Sequence, residues 1–151
     1  MISLREANND DIAFWLAIRN HPDVYPGFYQ QRKTGVIKWE DHCVWWYSRP
    51  STWKKFIVQL DGQDCGIVSF GQLDHWSPEI GYSIHPAVQG EGHGTEAVKM
   101  ALEKLKEWGY GYCHTTVLKD NERSLKLLKR LGFDILGDAR EGELWLSKRL
   151  D

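Results

Sequence analysis

The chain has 151 residues and a mass of 17.6 kDa, with 42% apolar and 26% charged residues and a formal net charge of −2. Area scaling at this mass buries roughly 69% of the unfolded surface, so a core forms without disulfides or a structural metal. The composition excludes disordered and collagenous chains, and the weak negative charge excludes a nucleic-acid binder driven by bulk electrostatics. Cys43, Cys65 and Cys113 are odd in number and form no CxxC pair, so neither a disulfide framework nor a zinc knuckle is expected. The N-terminus carries acidic residues where a signal peptide would be basic, and no run of about 18 apolar residues occurs. One cytoplasmic domain over residues 1–151 is expected, with no membrane partner.

In chain order, Ile2 to Glu6 reads as a short strand. Asn9-Asp10-Asp11 then supplies cap chemistry for an amphipathic helix with Ile12, Trp15, Leu16 and Ile18 on one face. Asn20 to Asp23 ends it, and the aromatic, aperiodic stretch from Tyr25 to Gly35 reads as a loop or broken helix. A second helix is expected from Lys38 to Ser48, with Trp39, Cys43, Trp46 and Tyr47 sharing a face. Lys55 to Leu60 and Cys65 to Leu73 flank Asp61-Gly62, a type I′ hairpin signal. Glu79 to His85 completes an antiparallel meander. A long helix follows the glycine cluster at 90–94, with Ala97, Val98, Ala101, Leu102, Leu105 and Trp108 as its buried stripe. Tyr112 to Val117 is a strand. A short helix capped by Asn121 turns Leu125, Leu128 and Leu131 inward and stops at Gly132. Phe133 to Leu136 and Leu144 to Ser147 close a mixed α/β sheet in the order βααβββαβαββ.

The informative stretch is Gly81 to Gly94, in which a strand leads through glycines 90, 92 and 94 into a helix. Such a loop turns its N–H groups inward beneath a helix N-terminus and suits a phosphate or pyrophosphate; the plainer reading is a tight turn. The missing GK[ST] ending excludes a P-loop, and Thr95 together with the preceding meander excludes a dinucleotide Rossmann unit.

Gln89-Gly-Glu-Gly-His-Gly94, followed by Asn121-Glu-Arg-Ser124 and Leu131-Gly-Phe133, resembles the two coenzyme A motifs of the GCN5-related N-acetyltransferases (GNAT). The likeness covers essentially the whole chain and implies about seven strands and four helices, with a splayed sheet that holds acetyl-CoA as cosubstrate. It implies that backbone groups of Ser83, Ile84 and His85 meet the pantetheine arm. The amides of Val88, Gln89, Gly90, Glu91, Gly92, His93, Gly94 and Thr95 would hold the pyrophosphate. Asn121 and Ser124 would line the far wall, and Lys126 or Lys129 would approach the adenosine phosphates. A homodimer is compatible with the likeness.

The implied reaction is direct attack of an amine on the thioester. It needs proximity, a base and a donor to the developing oxyanion. Glu79 is the candidate base and the Ile84 N–H the candidate oxyanion donor. Desolvation by Trp76 and Tyr82 would raise the Glu79 pKa toward that of a useful base; the plainer reading is a solvated strand-end carboxylate. Where many family members carry a tyrosine acid, this sequence has Leu128. His75, His85, His93 and His114 lack metal-ligand spacing, so no metal is expected, and His85 before Pro86 reads as structural.

The acceptor must be recognised by the N-terminal half. Arg19-Asn-His-Pro-Asp23 and the run Ile37 to Trp46 resemble sugar-nucleotide N-acetyltransferases of the pseudaminic acid pathway. Arg19, Tyr25, Phe28, Tyr29, His42, Trp45 and Glu79 are the acceptor candidates. His42, Trp45 and Trp46 share a helix face by spacing and either stack on a sugar ring or pack the helix on the sheet. The acceptor is thus a small-molecule amine, an amino sugar or its nucleotide. An N-terminal or peptide acetyltransferase is the alternative within the chemistry. A CoA-binding module without turnover, suggested by Leu128, is the alternative outside it.

Overall fold

The computed structural model describes all 151 residues. Its seven strands are β1 (Ile2–Glu6), β2 (Lys54–Leu60), β3 (Gln63–Gly71), β4 (Glu79–Ile84), β5 (Tyr112–Leu118), β6 (Asp134–Arg140) and β7 (Glu143–Arg149). Its five α-helices are α1 (Ile12–Arg19), α2 (Tyr29–Thr34), α3 (Trp39–Ser48), α4 (His93–Glu107) and α5 (Glu122–Arg130). No helix is long and apolar enough to cross a membrane. The sheet runs β1-β2-β3-β4-β5-β7-β6, antiparallel throughout except at β4–β5. Those two parallel strands share one register pair, Glu79 with His114, and then part. The expected splay is therefore present, with its closed end at Glu79.

Each sheet face has its own core, because strand side chains alternate. Val68, Phe70, Ile80, Ile84, Cys113, Val117 and Leu146 meet α4 and α5, where Ala97, Val98, Ala101, Leu102, Leu105 and Leu128 are buried. Ile57 and Ile67 meet α1 and α3 through Trp15, Ile18 and Trp46. The Asp61-Gly62 turn has positive φ at both residues, 51° and 85°, as a type I′ turn requires.

Several expectations change. A fifth helix appears because α2 forms inside the aromatic stretch, where the buried side chain of Gln31 donates to the Arg19 carbonyl at 3.0 Å. Asn20 fixes the same stretch by exchanging hydrogen bonds with the backbone of Ile37 at 2.8 and 2.9 Å. The buried face of α3 is His42 and Trp46; Trp39 and Tyr47 are exposed, so the expected apolar face is rotated by about a quarter turn. Trp108 lies half out of the stripe at the end of α4, edge-on to Phe70 at 5.2 Å. The last hairpin is longer than expected at both strands.

Candidate active site

Where β4 and β5 part, a continuous cleft of about 1050 Å³ opens between the two halves. Its upper end is the glycine loop. Gly90 and Gly92 have φ of 92° and 80°, conformations that L side chains rarely adopt, and a Cβ at either would meet no protein atom. The space beside them is therefore open to a ligand. Gly92 is also the N-cap of α4, whose first amides and partial positive charge face the same end of the cleft.

The β4 backbone supplies the next element. The His85 N–H donates to the Cys65 carbonyl at 2.7 Å, so by strand alternation the N–H groups of Tyr82 and Ile84 point away from β3 and into the cleft. The Ile84 carbonyl accepts from Gln89 Nε2 at 2.9 Å. His85 is thus committed elsewhere. Its N–H is spent on β3, and its Nδ1 accepts from the Ala87 N–H at 3.0 Å to cap the turn after β4. Of the loop residues, Gln89, Gly90, Gly92, Gly94 and Thr95 line the cleft, whereas Val88, Glu91 and His93 do not. His93 instead meets the Glu91 carboxylate at 3.2 Å.

Asn121 caps α5, its Oδ1 accepting from the Ser124 N–H at 3.3 Å, and both residues line the cleft. Lys126 does too, together with Arg123 and Arg130, which sequence reasoning did not select. Their spacing of three and four residues was the available signal, since it places the three cations on one face. Arg123 contacts the Gln89 side chain, bringing α5 to the glycine loop. Cations, open glycines and two free backbone N–H groups along one cleft fit a phosphorylated, amide-bearing arm.

At the closed end, Glu79, Gly81 and Ser83 face the α1–α3 side, opposite Gly71, Ser69 and Ile67. Burial pushes the Glu79 carboxyl above the usual range; the neighbouring imidazole of His114 pulls it back and Glu143 adds to the rise. His114 Nε2 lies 3.9 Å from Glu79, and its Nδ1 meets the Ser77 hydroxyl at 3.1 Å. Trp76 is exposed and packs on Tyr112, and Tyr82 lies on the other face of β4, so neither desolvates Glu79 in the expected way. That environment comes instead from β5 and the β6–β7 hairpin, where buried Glu143 accepts from Arg140.

The acceptor side is walled by Trp15, Arg19, Phe28, Tyr29, Trp45 and Trp53. Trp53 lies against Gly71 so closely that a Cβ there would stand 2.7 Å from the ring. The Arg19 guanidinium stacks on Phe28 at 3.8 Å, and its Nε donates to Gln31 at 3.0 Å, but it forms no ion pair. Burial pulls its pKa down to about 10. Tyr29 carries the Arg140 guanidinium on its ring at 3.9 Å, and Arg32 pairs with Asp120 at 2.8 Å, so α2 spans the gap between the two halves. Two of the acceptor candidates do not reach the wall. His42 is buried between α1 and α3, bonded at 2.8 Å to the Ile12 carbonyl, and serves as packing. Tyr25 opens a short turn whose Pro26 and Gly27 line the cleft in its place. Trp46 is also packing, its Nε1 donating to Asn9 at 3.0 Å. Two buried side-chain polar atoms form no hydrogen bond of full geometry, Trp15 Nε1 and the Tyr82 hydroxyl, and both residues line this cleft.

The model of the acetyltransferase (GNAT) domain matches residues 2–134. The chain is 31% identical over 148 residues to acetyltransferase PseH of Campylobacter jejuni, covering 93% of this chain and 90% of that protein. It is 34% identical over 149 residues to the uncharacterized protein MJ1062 of Methanocaldococcus jannaschii, covering 96% of this chain but only 30% of that longer protein. The crystal structure of a domain from Methanocaldococcus jannaschii superposes with a TM-score of 0.92 at 32% identity, over 99% of both chains. With the splayed strands, the glycine loop and the capped α5 in place, these matches assign the chain to the GNAT family as an acetyl-CoA-dependent N-acetyltransferase.

Proposed function

We propose that this enzyme acetylates the primary amine of a small anionic acceptor, an amino sugar and above all a nucleotide-linked one, within a ternary complex. The observation that carries this reading is Arg19. A half-buried cation without a carboxylate is costly unless a ligand brings the negative charge, and Arg19, partly withdrawn from solvent, faces the acceptor end of the cleft. The unpartnered Trp15 N–H stands on the same wall and matches an oxygen-rich ligand. Phe28, Tyr29, Trp45 and Trp53 offer ring faces for a sugar or base. The likeness to PseH supports the same class. A polyamine or a peptide N-terminus would bring positive charge to Arg19, which the site disfavours.

In this reading Glu79 takes the ammonium proton through a water, its raised pKa making it a better base than a solvated carboxylate. The Ile84 N–H, directed into the cleft, donates to the carbonyl oxygen as charge develops there. The cosubstrate supplies the activated acetyl group. Gly90, Gly92 and the α5 cations bind its phosphates, and the β4 backbone aligns its arm. The test is thiol release from acetyl-CoA with amino sugars, nucleotide-linked amino sugars, polyamines and N-terminal peptides in parallel. Turnover with the nucleotide-linked set is expected. Turnover with peptides alone would replace this acceptor class, and binding of acetyl-CoA without turnover across the panel would favour a CoA-binding module.

A further inference from the structure

Breaking a thioester leaves charge on sulfur, and a donor must answer it. The position where the family likeness expects that donor holds Leu128, which is fully buried in the core beneath α5. A phenol approaches from the opposite wall. Tyr82 pairs in register with Val68 of the same core, so its side chain crosses the α5 face of the sheet, while its N–H points along the cleft. Its hydroxyl is buried beside the Ser124 side chain, close enough to feel it but without a hydrogen bond of full geometry to any group. Ser124 and Leu128 are four residues apart, on one side of α5. The hydroxyl therefore sits one helical turn from the empty donor position, beside the gap between β4 and β5. A buried hydroxyl rarely stays unmatched unless a ligand completes it.

We propose that Tyr82 is the catalytic donor to the sulfur of coenzyme A. The amine, having given its ammonium proton to Glu79, attacks and forms the N–C bond. The C–S bond then breaks, its electron pair goes to sulfur, and the phenol proton follows. The proton shed by the new amide nitrogen returns to the phenolate through solvent, and the net product is one proton from Glu79. Burial pushes the Tyr82 phenol up to about 12, so it keeps its proton in neutral and mildly basic solution. A free thiol ionises near 8.5, so the phenol acts first as a hydrogen-bond donor to the growing charge. Its proton transfer completes only as the nitrogen proton refills it.

The inference rests on the cleft holding coenzyme A, and the test separates the two. Calorimetric affinities for CoA and desulfo-CoA are measured from pH 6 to 10 for the wild type and Tyr82→Phe. A donor at sulfur favours the thiolate, so the wild-type preference for CoA should grow with pH about tenfold more than that of the variant. Glu79 and His114 at the closed end, Glu143 on β7, and Arg123, Lys126 and Arg130 on α5 are common to both proteins and cancel in the difference. Equal pH dependence would overturn the proposal. Should Tyr82→Phe fail to fold, Tyr82→Leu, which also lacks the hydroxyl, takes its place in the same comparison, and a wild-type preference that stays flat with pH overturns the proposal outright. Failure to bind either ligand would overturn the cleft assignment instead. With the acceptor identified by the panel, kcat of Tyr82→Phe should fall 10- to 100-fold with KM for acetyl-CoA within twofold.

Discussion

The two halves of the cleft are built by different means. The half proposed to hold coenzyme A is lined chiefly by backbone, with glycines at positive φ, N–H groups released by the splay of β4 and a capped helix, joined by the α5 cations, all within residues 79–130. The acceptor half uses side chains drawn from α1, α2, α3, the segment after α3, and the β6–β7 hairpin. A ligand shared by a whole family can be held by a contiguous motif, since amides are the same whatever the side chains. A ligand particular to one enzyme needs side chains, and only packing decides which of them meet. The first half is consequently drawn from one stretch of chain, the second from several.

Substitutions can break this contrast. The largest effect is expected at Gly92→Val, which places a β-branched residue at φ 80° in the open phosphate space. Acetyl-CoA affinity should fall by about 100-fold or more in calorimetry while folding persists, consistent with strain of about 1–3 kcal/mol. Glu79→Gln comes next. Turnover should drop about 10²- to 10³-fold, with coenzyme A affinity unchanged and the acidic limb of the pH–rate profile gone. Its stability effect has the opposite sign. The folded pKa of Glu79 is raised, so its charge disfavours the fold as pH rises through that value. The Gln variant should melt higher than wild type at pH 7, and the difference should vanish in acid, where Glu79 is neutral.

Arg19→Met should raise the acceptor KM about 10-fold or more and leave KM for acetyl-CoA within twofold. An equal change in both would mean that Arg19 props the fold instead of serving one side of the cleft. Leu128→Tyr gives the smallest effect. The site is fully buried, so overpacking should cost about 1–3 kcal/mol in denaturant unfolding. A rate gain there would show that the cleft reaches residue 128.

Much of the coenzyme A half was legible because its signals are local. Glycines 90, 92 and 94 between a strand and a helix, and Asn121 as a cap, are chemistry written within a few residues. The α4 stripe at 97, 98, 101, 102 and 105 follows from helical period alone, and those five residues are buried. Even there, His85 was misleading, because whether an N–H faces a ligand or a neighbouring strand depends on alternation relative to β3. In the acceptor half, periodicity gave α3 the wrong buried face. Trp39, Trp45, Trp46 and Tyr47 spread apolar character round α3, and which face turns inward is set by the α1 contact through Trp15 and by the bond from His42 to Ile12. Trp53, Glu143 and Arg140 carried no motif at all.

By itself, the sequence determined the order of the elements, the hairpin at Asp61-Gly62, the phosphate loop and the family chemistry, because these depend on residue type and short spacing. Tertiary structure alone decided that α2 would fold across the gap and that Arg19 would be half-buried without a counter-ion. It also decided that Glu79 would lie beside the far hairpin and that the Tyr82 hydroxyl would be buried next to Ser124. Each of these is a meeting of residues far apart in the chain, fixed by the strand order and by which face of β4 a side chain takes.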